Sequence, residues 1–528
     1  MPVLGFQGEN AREKVIVLLT MCFALAMAML DNTVVNVAIP RIQTELGASV
    51  SQIQWIIDGY VLAFASLLLT GGIAGDRYGR KKMFLSGLAI FTTASFLCGI
   101  SSSSGQLIAF RALQGVGAAF LMPGTLSILT VTFPPQERAK AIGLWAGVSG
   151  IALALGPTLG GYMVEHIGWE SVFFLNVPIG IVAFLVAMRT VTESRSDEAR
   201  ELDIPGLALG TLGLLFLTYG LIEANQKGWS DPMIVGSLVS AAVFLGTFFW
   251  WEHRNPKAMM PLSFFRIPAF SAGNTVAFSV SLGMFSIFLF MSLYLQQIRG
   301  YTPFEAGVRF LPMTVMIIVT APLAGKYAQR HGSKIPMTYG LLLMGFGLMA
   351  LTQIQVDTPY AVIGVLFLIL GHGMGSTMAP MTAAVMGAVG PQRAGLGSAM
   401  TNTSREVGGV LGIALLGTIL FSKLSATIAP LLAGSGLSAA QQTAIVEQSG
   451  HGAVSPAFLT ALGLTPAQQA GVYEAFRTSY MAGFHRALFV GSVILLTAAF
   501  VANRFIPGRG SDVHLGGAPE GERVPVEA

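Results

Sequence analysis

The sequence predicts an all-α integral membrane protein, on three observations. Of 528 residues, 53% are apolar and 11% charged, whereas a typical soluble domain is about 25% charged. The apolar residues gather in continuous runs, each long enough to cross about 30 Å of hydrocarbon as a helix. The runs do not alternate with polar residues, which excludes a β-barrel. Mean hydropathy is +0.67, and about 280 apolar residues would furnish roughly fourteen spans of about twenty. This composition excludes a soluble enzyme, a nucleic-acid-binding protein and a disordered chain. Two cysteines exclude a disulfide scaffold; Cys22 and Cys98 lie inside apolar runs and read as small core residues.

The first run, 15–39, is too long for a signal-peptide core and no small-residue cleavage site follows, so it is the first span. Segments 52–75 and 83–101 flank a basic loop, 76–82. Segments 106–131 and 139–163 flank Arg138, and 171–189 ends at Arg189. Segments 204–224 and 232–252 are a close pair. The longest run, 268–298, is followed by 304–326, which ends in a second basic loop. Segments 335–355, 359–388, 394–421 and 482–505 complete the fourteen. An even count puts both termini on one side. Most of the 30 lysines and arginines fall in loops on that side, with Arg41, Lys227, Arg299, Lys423 and Arg477 opposite, so both termini are expected in the cytoplasm.

Two regions are expected outside the bilayer. The Gly-, Pro- and Glu-rich tail, 508–528, reads as disordered. The longest loop, 422–480, faces outward and carries two helical starts, Ser438 and the capping-box pattern Thr465–Gln468, so it reads as a small helical hairpin, either a spacer or a lid.

The two basic loops resemble each other. Gly72-Ile-Ala-Gly-Asp76-Arg77-Tyr-Gly79-Arg80 follows the second segment, and Gly325-Lys-Tyr-Ala-Gln329-Arg330-His-Gly332 follows the tenth. Directly joined six-helix halves would put them six segments apart; they are eight apart. Hence the expected organisation is a six-helix bundle over 1–200, a two-helix insert over 201–258 and a second six-helix bundle over 259–507. Repeated halves around a central site are the architecture of secondary transporters. Asp76, where the second helix meets cytoplasm, could hold a neighbouring helix N-terminus, with Gly72 and Gly79 allowing close approach and Arg77 and Arg80 supplying the basic loop. Gly156-Pro157 and Gly160-Gly161 predict a bent helix with a smooth face.

These residues resemble the major facilitator superfamily, specifically its fourteen-helix drug:proton antiporters of the QacA/EmrB type. Five motifs carry the resemblance in order: Leu30-Asp31 through Pro40; Gly72 to Lys82; Arg111-Ala-Leu-Gln114-Gly115-Val-Gly117; Gly156-Pro157-Thr-Leu-Gly160-Gly161; and Trp169 through Phe174-Leu-Asn176-Val-Pro178. One departure is Ala152, where the helix-5 antiporter motif usually has glycine. The resemblance implies the major facilitator fold, a bacterial cytoplasmic membrane and gating roles for Gly72 to Arg80 and Gly156 to Gly161. It also implies proton coupling or cation recognition by acids in the first, second and thirteenth helices, which are Asp31, Asp58 and Glu406 here. The tenth helix has only Glu305, at its mouth, where relatives with a broad divalent-cation range carry a deeper acid. That argues against bulky dicationic substrates.

A charge at the bilayer centre costs at least ~2.5–3.5 kcal/mol, so such residues should face a cavity and have a partner or a task. Asp31, Asp58 and Arg111 lie roughly 7–14 Å below the outer surface at 1.5 Å per residue, and Glu406 lies near the midplane beside Arg405. Asp31 is the expected partner of Arg111, as a structural pair or as part of proton coupling. Asp58 and Glu406, in apolar surroundings, are better placed to exchange protons near neutral pH, unless they serve as an interhelical hydrogen bond and a local pair with Arg405. A proton and a cationic passenger would compete for the same carboxylate, which is a minimal antiport mechanism. Trp55, Tyr60, Phe285, Tyr294 and Met291 are candidates for an aromatic and thioether surface. His372 lines the cavity or packs.

No P-loop, H-E-x-x-H or G-x-S-x-G occurs, so neither an ATP-driven pump nor an enzyme is expected. No metal or cofactor is expected; the energy source is a proton gradient. The expected partners are protons, lipid and lipophilic, mostly cationic small molecules, handled by a monomer. Export of an endogenous lipid, antibiotic or siderophore fits the same residues, and a nutrient importer fits them less well.

Overall fold

The structure, a computed structural model, describes residues 11–195, 202–255, 258, 260, 262–389, 394–433, 435–450, 454 and 456–508. The tail expected to be disordered lies outside them apart from Gly508. Among the described residues every regular element is helical. The helices are α1 Ala11–Leu46, α2 Val50–Tyr78, α3 Arg80–Gly99, α4 Ser104–Thr132, α5 Pro135–His166, α6 Ser171–Phe174, α7 Asn176–Thr190, α8 Ile204–Lys227, α9 Pro232–Arg254, α10 Pro268–Leu293, α11 Pro303–Arg309, α12 Leu311–His331, α13 Lys334–Leu351, α14 Tyr360–Val389, α15 Ala394–Leu432, α16 Ala439–Gly450, α17 Pro456–Ala461 and α18 Pro466–Phe505.

Twelve of these stretches are long and apolar enough to cross a membrane, and α2, bent by 49° between Leu68 and Thr70, makes a thirteenth. They correspond to all the expected segments except the fifth, where α5 is a single 32-residue helix. Two expected segments are broken. The sixth is α6 plus α7, and the tenth is α11 plus α12, parted at Phe310 just before Leu311-Pro312. The loop expected over 422–480 is smaller. α15 runs on to Leu432, and the capping box at Thr465 begins α18 itself, a 40-residue helix, rather than one arm of a hairpin. α16 and α17 are what remains outside. Hydropathy ends where a helix leaves the apolar layer, but the helix continues until its capping groups stop it.

Side-chain caps mark several of the starts. Ser49, Thr302 and Thr465 each form a two-way capping box, and Asp203 and Asp231 accept from the first turns of α8 and α9. The two basic loops are alike in backbone as well as in sequence. Gly79 (φ 117°) ends α2 and Gly332 (φ 86°) ends α12, both in a region that disfavours a side chain.

Helices α1 to α7 pack on one another, as do α10 to α15 with α18. Glycines set the close approaches. A Cβ at Gly115 would strike the Tyr60 carbonyl between α4 and α2, and one at Gly408 the Phe278 backbone between α15 and α10. Without a hydrophobic drive between helices in lipid, such contacts carry the packing. α10 is central, with 94% of its apolar window buried, against 22% for α9. α8 meets both groups: Trp55 of α2 donates to Glu223 at 3.3 Å, and Thr418 of α15 donates to the Leu221 carbonyl at 2.7 Å.

The two groups are joined at the end of the bundle away from Ala11 and Phe505, here called distal. Ser292 donates to the Asn36 carbonyl (2.9 Å), Gln296 to the Val37 carbonyl (3.1 Å), Gln297 to Gln43 (2.8 Å) and Gln54 to the Ile413 carbonyl (3.1 Å).

Candidate functional site

Arg111 sits at the centre of a buried polar cluster. Its Nη1 pairs with Asp31 Oδ2 and donates to Gln114 Oε1 at 2.7 Å; its Nε donates to the Ile56 carbonyl at 3.1 Å. Gln114 Nε2 (2.9 Å) and Asn176 Nδ2 (3.0 Å) both donate to Asp31 Oδ1, and both also reach Ser95 Oγ. The guanidinium lies 4.2 Å from the Tyr60 ring centroid. Helices α1, α2, α3, α4 and α7 therefore meet at one charge pair, 2% exposed at Asp31 and 1% at Arg111. Both Asp31 oxygens are satisfied, as a buried carboxylate requires. The sequence reading paired Asp31 with Arg111 and missed Gln114, Asn176 and Ser95. Gln114 had a signal, three residues from Arg111 on the same helix face.

Asp58 is the opposite case. It is 0% exposed, and among the described residues neither oxygen has a hydrogen-bond partner. The Tyr60 hydroxyl and Ser66 hydroxyl on the same helix are also unpartnered. On α15, which packs against α2, Glu406 is 6% exposed, and its Oε2, the Thr403 hydroxyl and the Arg405 Nε have no partner among the described residues either. Tyr60 lies within electrostatic reach of Asp31, Arg111 and Glu406. Four such atoms of α2 and three of α15 are thus left without a partner among the described residues, on two helices that pack together, one from each group.

The other candidates are placed variously. Trp55 is turned to α8 through Glu223. Phe285 lies against Gly409 of α15. Met291 is buried in α10. Tyr294 donates to the Gln355 carbonyl at 2.9 Å and stacks on Phe484 of α18, inside the second group. His372 is within 3.1 Å of Thr320 on α12 and edge-on to Tyr339 of α13, away from the α1–α4 cluster.

Among the gating candidates, Asp76 is bonded to Arg80, whose Nη2 approaches within 2.7 Å. Among the described residues it does not hold a helix N-terminus. That position is taken by Glu193, which accepts from the backbone of Lys81 (3.0 Å) and Lys82 (3.1 Å) at the start of α3. Glu193 lies beyond α7 in an irregular stretch, where no periodicity pointed to it. Arg77 lies over its neighbour Tyr78. Gly72 approaches Pro123 of α4.

Gly156 and Gly160 of α5 face Thr33 and Val34 of α1. Gly161 faces the Pro303 carbonyl, and the Pro157 carbonyl faces Gly307 of α11. Thr158 donates to the Gly307 carbonyl at 3.2 Å, and Glu165 accepts from the Phe304 N–H at 3.0 Å. Hydrogen bonds from Thr302 first, then from Phe304, together with nearby His166, hold the Glu165 carboxyl below its ordinary range. The Gly-Pro-Gly-Gly stretch is thus a distal contact between the two groups.

The major facilitator superfamily profile matches residues 21–413. The tetracenomycin C resistance and export protein of Streptomyces glaucescens is 35% identical over 490 residues, covering 92% of this chain and 90% of that one. The multidrug resistance protein Stp of Mycobacterium tuberculosis is 31% identical, covering 98% and 96%. Among solved structures, a bacterial homologue of the human lysosomal transporter Spinster, inward-facing and unoccupied, superposes with a TM-score of 0.64 at 18% identity, covering 95% of this chain and 98% of that one. The chain is a multi-pass membrane protein and belongs to the major facilitator superfamily.

Proposed function

We propose that this chain is a proton-coupled antiporter exporting lipophilic, cationic small molecules by alternating access. The observation that carries the reading is the pair of buried carboxylates on α2 and α15: among the described residues neither oxygen of Asp58, nor Oε2 of Glu406, has a hydrogen-bond partner. A buried carboxylate without donors is relieved by a proton or by a cation, and the two exclude each other. Asp31, held by Arg111, Gln114 and Asn176, positions the cluster and communicates through Tyr60 and the Ile56 carbonyl to the helix that carries Asp58.

The reading has the distal end outside, both termini in the cytoplasm of a bacterial cell, α5 as the fourteenth span and one chain as the working unit. The distal contacts then make this an outward-closed state, with Gly156 to Gly161 as its seal. Each inward proton contributes about 2.3 kcal/mol per 100 mV; no ATP is needed. The relatives' names, a tetracenomycin C exporter and a multidrug resistance protein, support drug export and favour antibiotics among the passengers.

The test is efflux of ethidium in everted vesicles under an imposed pH gradient, comparing wild type with Asp58→Asn and Glu406→Gln. At least one variant is expected to lose gradient-driven transport while retaining dye binding. Undiminished efflux in both rejects the coupling assignment.

A further inference from the structure

Arg405 stands about twelve residues into α15, some 18 Å along its axis at 1.5 Å per residue. An arginine at such depth is expected to be paired. Among the described residues it has no hydrogen bond and no ion pair, and its Nε is enclosed. Its immediate neighbour Glu406 is the nearest recorded opposite charge, but adjacent helix residues diverge by about 100° and no bridge forms between them.

The contacts of α15 show where Arg405 points. Ser404 donates to Asn274, while Gly408 and Gly412 touch the Phe278 and Leu282 backbones, so this stripe faces α10. The Ile413 carbonyl and Gly417 meet Gln54, so that side faces α2. Glu406 shares the α2 side. Arg405 falls between the two stripes, about 60° from the middle of the first. One turn further along the same sector, Gly409 lies against the Phe285 ring. A cation without a hydrogen bond or ion pair among the described residues thus lies one helical turn from an aromatic ring.

We propose that Arg405 is an anion-accepting subsite, so that the preferred passengers are zwitterions, which carry beside their cationic centre a carboxylate, phenolate or enolate on a lipophilic, aromatic body. The guanidinium takes the acidic group through two N–H donors, and Phe285 supports the ring system. The subsite deepens the transport reading and rests on it, but the two can fail separately. Asp58 and Glu406 answer for coupling, whereas Arg405 answers for which molecules bind.

The test uses a matched pair of dyes, rhodamine B with its free carboxylate and rhodamine B ethyl ester without it. Binding to purified full-length protein is read by fluorescence polarisation at pH 7.5. Wild type is expected to bind the acid at least as tightly as the ester. Arg405→Gln should weaken the acid tenfold or more and the ester less than twofold, and Arg405→Lys should recover part of the loss. The unchanged ester affinity shows that the variant is folded. Equal weakening of both dyes, no weakening of the acid, or a wild type that prefers the ester or binds neither dye overturns the subsite. Loss of gradient-driven ester efflux in Asp58→Asn is scored separately and bears only on coupling.

Discussion

Two buried aspartates on neighbouring helices have opposite surroundings, and the difference decides what each can do. Asp31 accepts from Arg111, Gln114 and Asn176; Asp58 accepts from nothing among the described residues. Breaking a buried ion pair from one side strands the other charge and costs about 3–5 kcal/mol, so Arg111→Gln should lower the apparent Tm of the purified protein steeply. Asp31→Asn combined with Arg111→Gln should restore part of the loss, because no charge is then left alone. Asp58→Asn should leave the apparent Tm unchanged or raise it, since it removes a carboxylate that no donor supports. A melting curve in which Asp58→Asn is as damaging as Arg111→Gln would mean that Asp58 has partners in the folded protein. Much of this chemistry was legible in the sequence, because a charge inside an apolar run stands out. The partners were not: Asn176 and Ser95 are ordinary polar residues whose importance comes from three helices converging on Asp31, which no linear pattern encodes.

Elements were legible where apolar runs have clear ends, and less so where helices outrun the apolar layer or break inside it. The extension of α15 to Leu432 and the start of α18 at Pro466 place helix where hydropathy had ended. The break between α11 and α12 lies within one apolar run. That break matters, because α11 is the short helix that α5 packs against. Gly161 has no room for a side chain beside the Pro303 carbonyl. Gly161→Leu should therefore push α5 and α11 apart and open the distal contact. Thiol labelling of Thr158→Cys from the distal side reads this directly, since Cys22 and Cys98 are both buried. Labelling should speed up several-fold in the Gly161→Leu background. An unchanged rate would show that the Gly-Pro-Gly-Gly stretch packs without sealing.

At the scale of the whole molecule, the proposed alternating access needs a site reached from each side in turn, so on that reading the distal bonds between the two groups break and re-form in every cycle. α1 with α10, α2 with α15, and α5 with α11 meet there, and α8 touches both α2 and α15 beside them. On the same reading α8 and α9, the expected insert, move with that end, in keeping with the slight burial of α9. The Gln43–Gln297 bond, 2.8 Å between side-chain tips, gives a direct handle. The double variant Gln43→Cys with Gln297→Cys should form a disulfide under mild oxidation and hold the distal end shut. Efflux should then fall to near background and return on reduction, while each single variant transports in both conditions, because the two native thiols are too buried to form alternative bridges. Gel mobility after proteolysis between the two positions confirms that the bridge has formed. Full efflux with the bridge in place would mean that passengers leave by a route that does not part α1 from α10, and the rocking of two halves around Asp58 and Glu406 would have to be abandoned.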